Sequence, residues 1–191
     1  MDFSIFTVKS LEDAVTSQKL SPLYDHGYRV LVDNGGLAAR LPAPSYESPA
    51  RTQPTEAELR AVIEEFWFEA AQIPKYLQRH DLWVVKYRDW TMKELLLQML
   101  EWHAIATNHE QRDVWHVGTR MKDWVRPDVW EDLQEAFGRF DAADSWRALL
   151  ATVSLFRKLA RETAESLGYQ YPKELDDAIG GYLRKFEGKL S

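Results

Sequence analysis

Two long amphipathic stretches constrain the fold of this chain more than any other feature. The first begins at a capping box, in which Thr55 caps a helix and Glu58 reaches back to the Thr55 amide. Apolar residues then recur at helical spacing, namely Leu59, Val62, Ile63, Phe66, Trp67, Ala70 and Ile73. The second stretch runs from Asp81, a predicted cap, to about Thr107. The spacing predicts two long helices.

Helical signals continue to the end of the chain. Pro74 is expected to kink the first long helix, because proline removes one intrahelical hydrogen bond. Pro127 suits the first turn of a helix, Asp144 or Ser145 opens another long helix, and Gly168 suits its C-terminal cap. We therefore predict a mainly α-helical protein, an antiparallel helical bundle.

The first fifty residues show a different pattern. Residues 2–8 and 28–33 alternate and are rich in aromatic and β-branched side chains, which predicts one or two strands. Because two short strands do not form a stable sheet alone, this region is either the end of a larger α/β unit or a strap across the helices. We predict two domains. Residues 1–54 are the remnant of an N-terminal domain together with a linker, and residues 55–191 are a helical domain.

Composition narrows the class of protein. The chain has no cysteine, which excludes disulfides and thiolate metal sites. A formal charge of −6 argues against a nucleic-acid-binding face and is compatible with attraction of a polycationic small molecule. No apolar stretch approaches the roughly 20 residues that cross a bilayer, and the first residues lack the pattern of a signal peptide. We expect a cytoplasmic protein that binds neither nucleic acid nor membrane.

Acids and aromatic rings lie together on the two long helices. If both helices line one cleft, Glu65 and Glu101 are placed to hold ammonium or guanidinium groups. The alternative is a solvated acidic stripe. Lys75 and Lys86 lie near the corner between the helices, where phosphate contact and simple exposure to solvent are both consistent with the pattern.

No complete catalytic or metal-binding motif is present. Three histidines and a glutamate could be imagined as a metal site, but their spacing matches no zinc-binding motif, which favours structural or solvated histidines. They are His103, His109, His116 and Glu110. No glycine-rich phosphate loop and no serine in a nucleophile-elbow context occur.

Several ordered motifs resemble those of the streptomycin (aminoglycoside 6-) adenylyltransferase family. They are Pro54-Thr55-Glu56, Glu65-Phe66-Trp67, Pro74-Lys75-Tyr76-Leu77, Asp81-Leu82-Trp83, Lys86, Leu97-Gln98-Met99-Leu100-Glu101-Trp102-His103, the piece 118–124, Leu155-Phe156-Arg157-Lys158 and the segment 165–172. The resemblance extends from Asp2 to about Tyr182 and covers only the C-terminal portion of the family.

The resemblance implies a reaction. Family members join a nucleotidyltransferase domain to a helical domain and transfer AMP from magnesium-bound ATP to an aminoglycoside hydroxyl. Their metal ligands are an Asp-x-Asp strand after a Gly-Ser turn, and a third Asp. This sequence contains neither a Gly-Ser pair nor Asp-x-Asp. Asp2 matches the third carboxylate and is left without its companions, so it is a weak metal ligand at most.

The resemblance also implies roles for residues of the helical part. The substrate-binding candidates are Glu65, Trp67, Glu101 and Trp102. The candidates for contact with the phosphates of ATP are Lys75, Lys86 and Lys122. The expected function is therefore the substrate-binding helical part of an aminoglycoside 6-adenylyltransferase-like protein.

Two alternative functions, each of a different class, are also consistent with the sequence. One is a stand-alone module that binds a cationic small molecule without modifying it. The other is a partner of a separate nucleotidyltransferase domain, with association of the chain through the edge of the strand predicted at 2–8.

The missing carboxylates lead to a prediction about activity. One carboxylate does not fix a metal ion that bridges two phosphates, so we expect no AMP transfer by this 191-residue chain alone. The test is to incubate the purified chain with ATP, Mg²⁺ and streptomycin and to measure pyrophosphate. Turnover at an appreciable rate would contradict this expectation.

Overall fold

The helical prediction is confirmed, whereas the predicted strands are absent from the described residues. A computed structural model describes residues 4–47, 52–107, 114 and 116–188. Those residues form eight α-helices, a 3₁₀ turn at Ala38–Arg40 and no β-strand. The helices are α1 (Val8–Ser17), α2 (Pro22–Asp25), α3 (Glu56–Gln78), α4 (Leu82–Thr107), α5 (Met121–Trp124), α6 (Pro127–Glu135), α7 (Ala142–Leu167) and α8 (Lys173–Arg184).

The chain divides into two compact units, Met1–Ala50 and Arg51–Ser191. Polar hydrogen bonds hold the described part of the first unit. The Asp25 carboxylate accepts from the backbone amide of Ser45 at 3.0 Å and from its hydroxyl at 2.7 Å. Val15 is the only buried residue among those described in this unit. The predicted functional division between residues 54 and 55 stays a prediction.

The two strand predictions fail for different reasons. Residues 1–3 lie outside the described part, and residues 4–7 lead directly into α1, where the Thr7 side chain accepts from the amide of Ser10 as an N-cap. Residues 28–33 form no strand, because an extended segment needs a neighbouring strand to satisfy its backbone groups and the described part offers none.

In the second unit, α3 begins at the predicted capping box. The amide of Glu58 donates to the Thr55 hydroxyl at 3.3 Å, and the amide of Thr55 donates to the Glu58 carboxylate at 2.8 Å. The helix continues through Pro74 to Gln78. The predicted Gly168 cap also ends α7, with φ of 71°. Asp141, not Asp144 or Ser145, caps the start of α7.

Helix α4 packs against both α3 and α7. Phe66 of α3 stacks on Phe156 of α7 with ring centroids 3.6 Å apart. Helices α4 and α7 run in the same direction, because the pairs Lys93–Thr152 and His103–Glu162 have the same separation of 59 residues. The bundle is therefore not antiparallel throughout. Helix α6 comes between α4 and α7 in the chain and packs on α7, so α7 can run in the same direction as α4.

Apolar side chains lie on every side of α4. One side faces the core through Val85, Met92, Leu96, Met99 and Leu100. The opposite side exposes Trp83, Tyr87 and Trp90. Among the described residues, no helix combines the length and apolar composition that crossing a bilayer requires.

The stacked phenylalanines provide a test of the core. Phe66→Ala is expected to lower the free energy of unfolding by about 3–5 kcal/mol, because it removes a fully buried ring. The matched control is Phe68→Ala, two residues away and 53% exposed, with an expected change within about 0.5 kcal/mol. Urea unfolding followed by circular dichroism measures both. Equal losses in the two variants would contradict this packing.

Candidate functional site

A groove of about 290 Å³ lies along one face of α4. Its lining residues are Thr52, Glu94, Leu97, Gln98, Glu101, Trp102 and Ile105. All except Thr52 belong to α4, at successive spacings of three, one, three, one and three residues. That spacing places them on one side of the helix. The groove is therefore mainly the product of a single helical face.

Two carboxylates give the groove its charge. Glu94 is exposed and accepts a hydrogen bond from the Trp90 indole at 3.1 Å. Glu101 is only 7% exposed and also interacts with another group of the protein. Glu94 and Glu101 are seven positions apart, which corresponds to about 10 Å along the helix axis. None of the described residues that line the groove is a lysine or an arginine.

Apolar side chains form the rest of the surface, chiefly Leu97, Trp102 and Ile105. A turn packs closely on this surface at Gly118, whose φ is +71°. A Cβ atom there would lie 3.4 Å from Leu97 Cδ1 and 2.8 Å from Met121 Cε. The positive φ therefore favours glycine here, and the Met121 methyl group, at the end of a flexible side chain, would move to admit a Cβ atom.

A charged network begins at His103, which follows Trp102 in α4 and is buried. His103 Nε2 lies 2.7 Å from the Glu162 carboxylate, which also accepts from Arg126 at 2.8 Å. Arg126 forms a two-pronged contact with Asp128, which in turn accepts from Lys158 at 2.8 Å. This network joins α4 to α7 and to the start of α6.

Burial, and not the neighbouring carboxylate, favours the neutral form of the His103 ring. Burial lowers the pKa of His103, and the adjacent Glu162 carboxylate opposes that shift without cancelling it. Burial raises the pKa of Glu162, but hydrogen bonds from His103 and Arg126 leave that pKa below its ordinary value. The neutral ring therefore carries its proton on Nε2 and donates it to Glu162. His103 acts as a structural hydrogen-bond donor that fixes this turn of α4.

The structure brings two of the four predicted substrate-binding residues together. Glu101 and Trp102 both line the groove. Glu65 is exposed on α3 and is not one of the residues that line the groove. Trp67 is fully buried, packs edge-on against Phe66 and lies under the Arg157 guanidinium. The indole of Trp67 thus belongs to the core in this structure.

The three predicted phosphate-contact lysines have different surroundings. Lys75 is exposed and donates to the Gln72 side chain at 3.3 Å. Lys86 donates to the carbonyl of Gly138 at 3.1 Å, and Lys122 is exposed on α5. Lys75 and Lys122 thus remain available to an external anion, whereas Lys86 already holds a backbone carbonyl.

The described residues do not fit a magnesium site. They contain no group of three or more aspartates, glutamates or histidines placed to share one metal ion. Asp2, the predicted lone metal ligand, lies outside the described residues, as do His109 and Glu110.

Sequence reasoning missed most of the groove. Glu94, Leu97, Gln98 and Ile105 are not among the predicted site residues, although counting back and forward from Glu101 in steps of three and four residues finds all of them. Thr52 had no comparable signal, because it lies in an extended segment before α3 whose position depends on tertiary packing.

Comparison with known proteins agrees with the resemblance seen in the motifs. The profile of the streptomycin adenylyltransferase family matches residues 1–186. Aminoglycoside 6-adenylyltransferases of Bacillus subtilis (strain 168) and Campylobacter jejuni are each 23% identical, over 95% and 96% of this chain. The chain spans 62% and 61% of the length of those two relatives.

A solved structure shows the same likeness. The crystal structure of an aminoglycoside 6-adenyltransferase from Bacillus subtilis is similar with a TM-score of 0.63 and 25% sequence identity. The similarity covers 71% of this chain and 52% of that chain. Because the family profile matches residues 1–186 of the 191 residues in this chain, the chain belongs to the streptomycin adenylyltransferase family.

Proposed function

We propose that the helical unit of this chain binds an aminoglycoside-like cation in the groove of α4. In this proposal the groove recognises the acceptor in a reaction that transfers AMP from ATP to an aminoglycoside hydroxyl. The observation that supports the proposal best is the set of groove residues, which joins two carboxylates, an amide and an indole on one helical face.

The charge of the groove suits a ligand with several positive groups. Glu94 and Glu101 are two helical turns apart, so they address cationic groups on different parts of a ligand. Charge-assisted hydrogen bonds to carboxylates are stronger than neutral ones, and the low exposure of Glu101 strengthens its field locally. Gln98 lies between the two acids and offers both a donor and an acceptor to sugar hydroxyls.

The apolar part of the groove suits the faces of sugar rings. Trp102 presents an indole, which favours cations over its face as well as ring stacking. Leu97 lies five residues before it and Ile105 three residues after it on α4, and both extend this surface. A ligand with both positive groups and apolar ring faces matches this combination better than a purely ionic one.

The nucleotide side of the proposed reaction rests on other parts of the molecule. Lys75 and Lys122 are exposed and are the better candidates of the three lysines for contact with ATP phosphates. The metal-holding carboxylates of the family reaction have no counterpart among the described residues. We therefore propose that this region contributes recognition of the acceptor, and that transfer needs carboxylates from outside the described residues.

A matched pair of glutamate substitutions distinguishes ligand binding in the groove from ligand binding on the exposed face of α3. Glu94→Gln is expected to weaken streptomycin binding about three- to tenfold, because it removes one exposed carboxylate from the groove. Glu65→Gln is the control, since Glu65 is equally a surface glutamate but does not line the groove. Isothermal titration calorimetry with the full chain measures both.

Two outcomes of that titration would contradict the proposal. Absence of heat with the unmodified chain at millimolar streptomycin argues against any binding role. A loss for Glu65→Gln as large as that for Glu94→Gln places the ligand on α3 and not in the groove.

A further inference from the structure

A patch of five exposed aromatic rings lies beyond the groove, on the N-terminal half of α4. The aromatic patch consists of Trp83, Tyr87, Trp90, Phe137 and Phe140, which are 79%, 67%, 62%, 55% and 63% exposed. Soluble monomers rarely expose contiguous apolar surface of this kind without a function for it.

Contacts with α4 make the patch continuous. Phe140 lies edge-on to Trp83, with ring centroids 6.4 Å apart. The Lys86 ammonium donates to the carbonyl of Gly138, and the Lys93 ammonium lies 5.3 Å from the centre of the Phe137 ring. The segment 137–140 therefore lies along α4 and places its two phenylalanines beside the ladder of Trp83, Tyr87 and Trp90.

The spacing of the ladder is that of a helix-pairing seam. Trp83, Tyr87 and Trp90 are separated by four and three residues, the alternation that keeps one face of a helix against a second helix. The same alternation continues through Glu94, Leu97 and Glu101 into the groove. The three rings at the aromatic end of this face are 62–79% exposed, whereas small molecules occupy concave sites that bury most of their surface. A polypeptide helix suits the aromatic end better than a small ligand does.

We propose that the aromatic patch pairs with the α4 helix of a second copy of this chain, in antiparallel orientation about Tyr87. The ladder is nearly symmetric about that residue, so a two-fold axis there brings Trp83 close to Trp90 of the second copy. Such aromatic pairs stabilise an interface beyond the area that they bury. The same patch thus serves both partners, as a two-fold interface requires.

The available area is adequate for a dimer. From their exposed fractions, the five side chains present roughly 650 Å². A standard interface buries about 800 Å² on each partner. The aromatic rings therefore account for most of such an interface, and neighbouring side chains of α4 need to supply only the remainder.

Sedimentation equilibrium of the full chain without any ligand tests the dimer. We expect a monomer–dimer equilibrium in the micromolar range. Trp83→Glu is expected to raise the dimer dissociation constant on the order of 100-fold, because each copy carries the change. Phe68→Glu is the matched control, since it charges an aromatic side chain that is 53% exposed on α3 and lies outside the aromatic patch, and the dissociation constant of this variant should be unchanged. Trp83→Phe should retain the dimer.

A cross-linking experiment tests the orientation and does not depend on the stability of the glutamate variant. The chain has no cysteine, so Tyr87→Cys places a single thiol at the proposed axis. Mild oxidation should give a disulfide-linked dimer, whereas Phe68→Cys, with its thiol on α3, should give little. A chain that stays monomeric at high concentration, or equal cross-linking of the two cysteine variants, would overturn the proposal. Neither readout involves an aminoglycoside, so a failure here is separable from a failure of the proposed function.

Discussion

The structure depends on the contacts that fix the rotation of α4 about its own axis, because this helix carries apolar side chains on all sides. Such a helix has no preferred rotation from its apolar pattern alone. Buried polar contacts supply that preference. Arg88 donates to the buried Glu69 of α3 at 2.7 Å, and Lys93 donates to Thr152 of α7 at 2.9 Å. Because a buried charge without its partner is costly, these contacts penalise other rotations of α4.

The rotation of α4 decides what the protein presents to its surroundings. Once Met92, Leu96 and Met99 face the core, the residues at 83, 87, 90, 94, 97 and 101 follow one line on another side. His103 and its bond to Glu162 hold the same rotation at the C-terminal end. The groove and the aromatic patch are therefore two parts of one helical face, and the core that stabilises the protein also orients both.

The elements that were predictable from sequence are those set by local chemistry. The capping box at Thr55 and the Gly168 cap needed only neighbouring residues and are confirmed. Helical periodicity placed Trp67 in the apolar stripe of α3, and the structure buries it there, although the family motif suggested a role toward the ligand. The prediction of a strand at 28–33 is wrong. A strand forms only when it pairs with a second segment, whereas periodicity describes a single segment. The outward face of α4 was hard to recognise for a similar reason, since a helix that is apolar all round does not reveal which side is covered.

The most direct test of this account follows the indole N–H signals of the eight tryptophans by NMR during a streptomycin titration. Signals from the outward face of α4 should respond, with the largest shift for Trp102 in the groove. Trp67 is fully buried in the core, so its signal should stay in place. A saturable shift of Trp67 with an unchanged Trp102 would contradict the claim that this face of α4 is the functional surface.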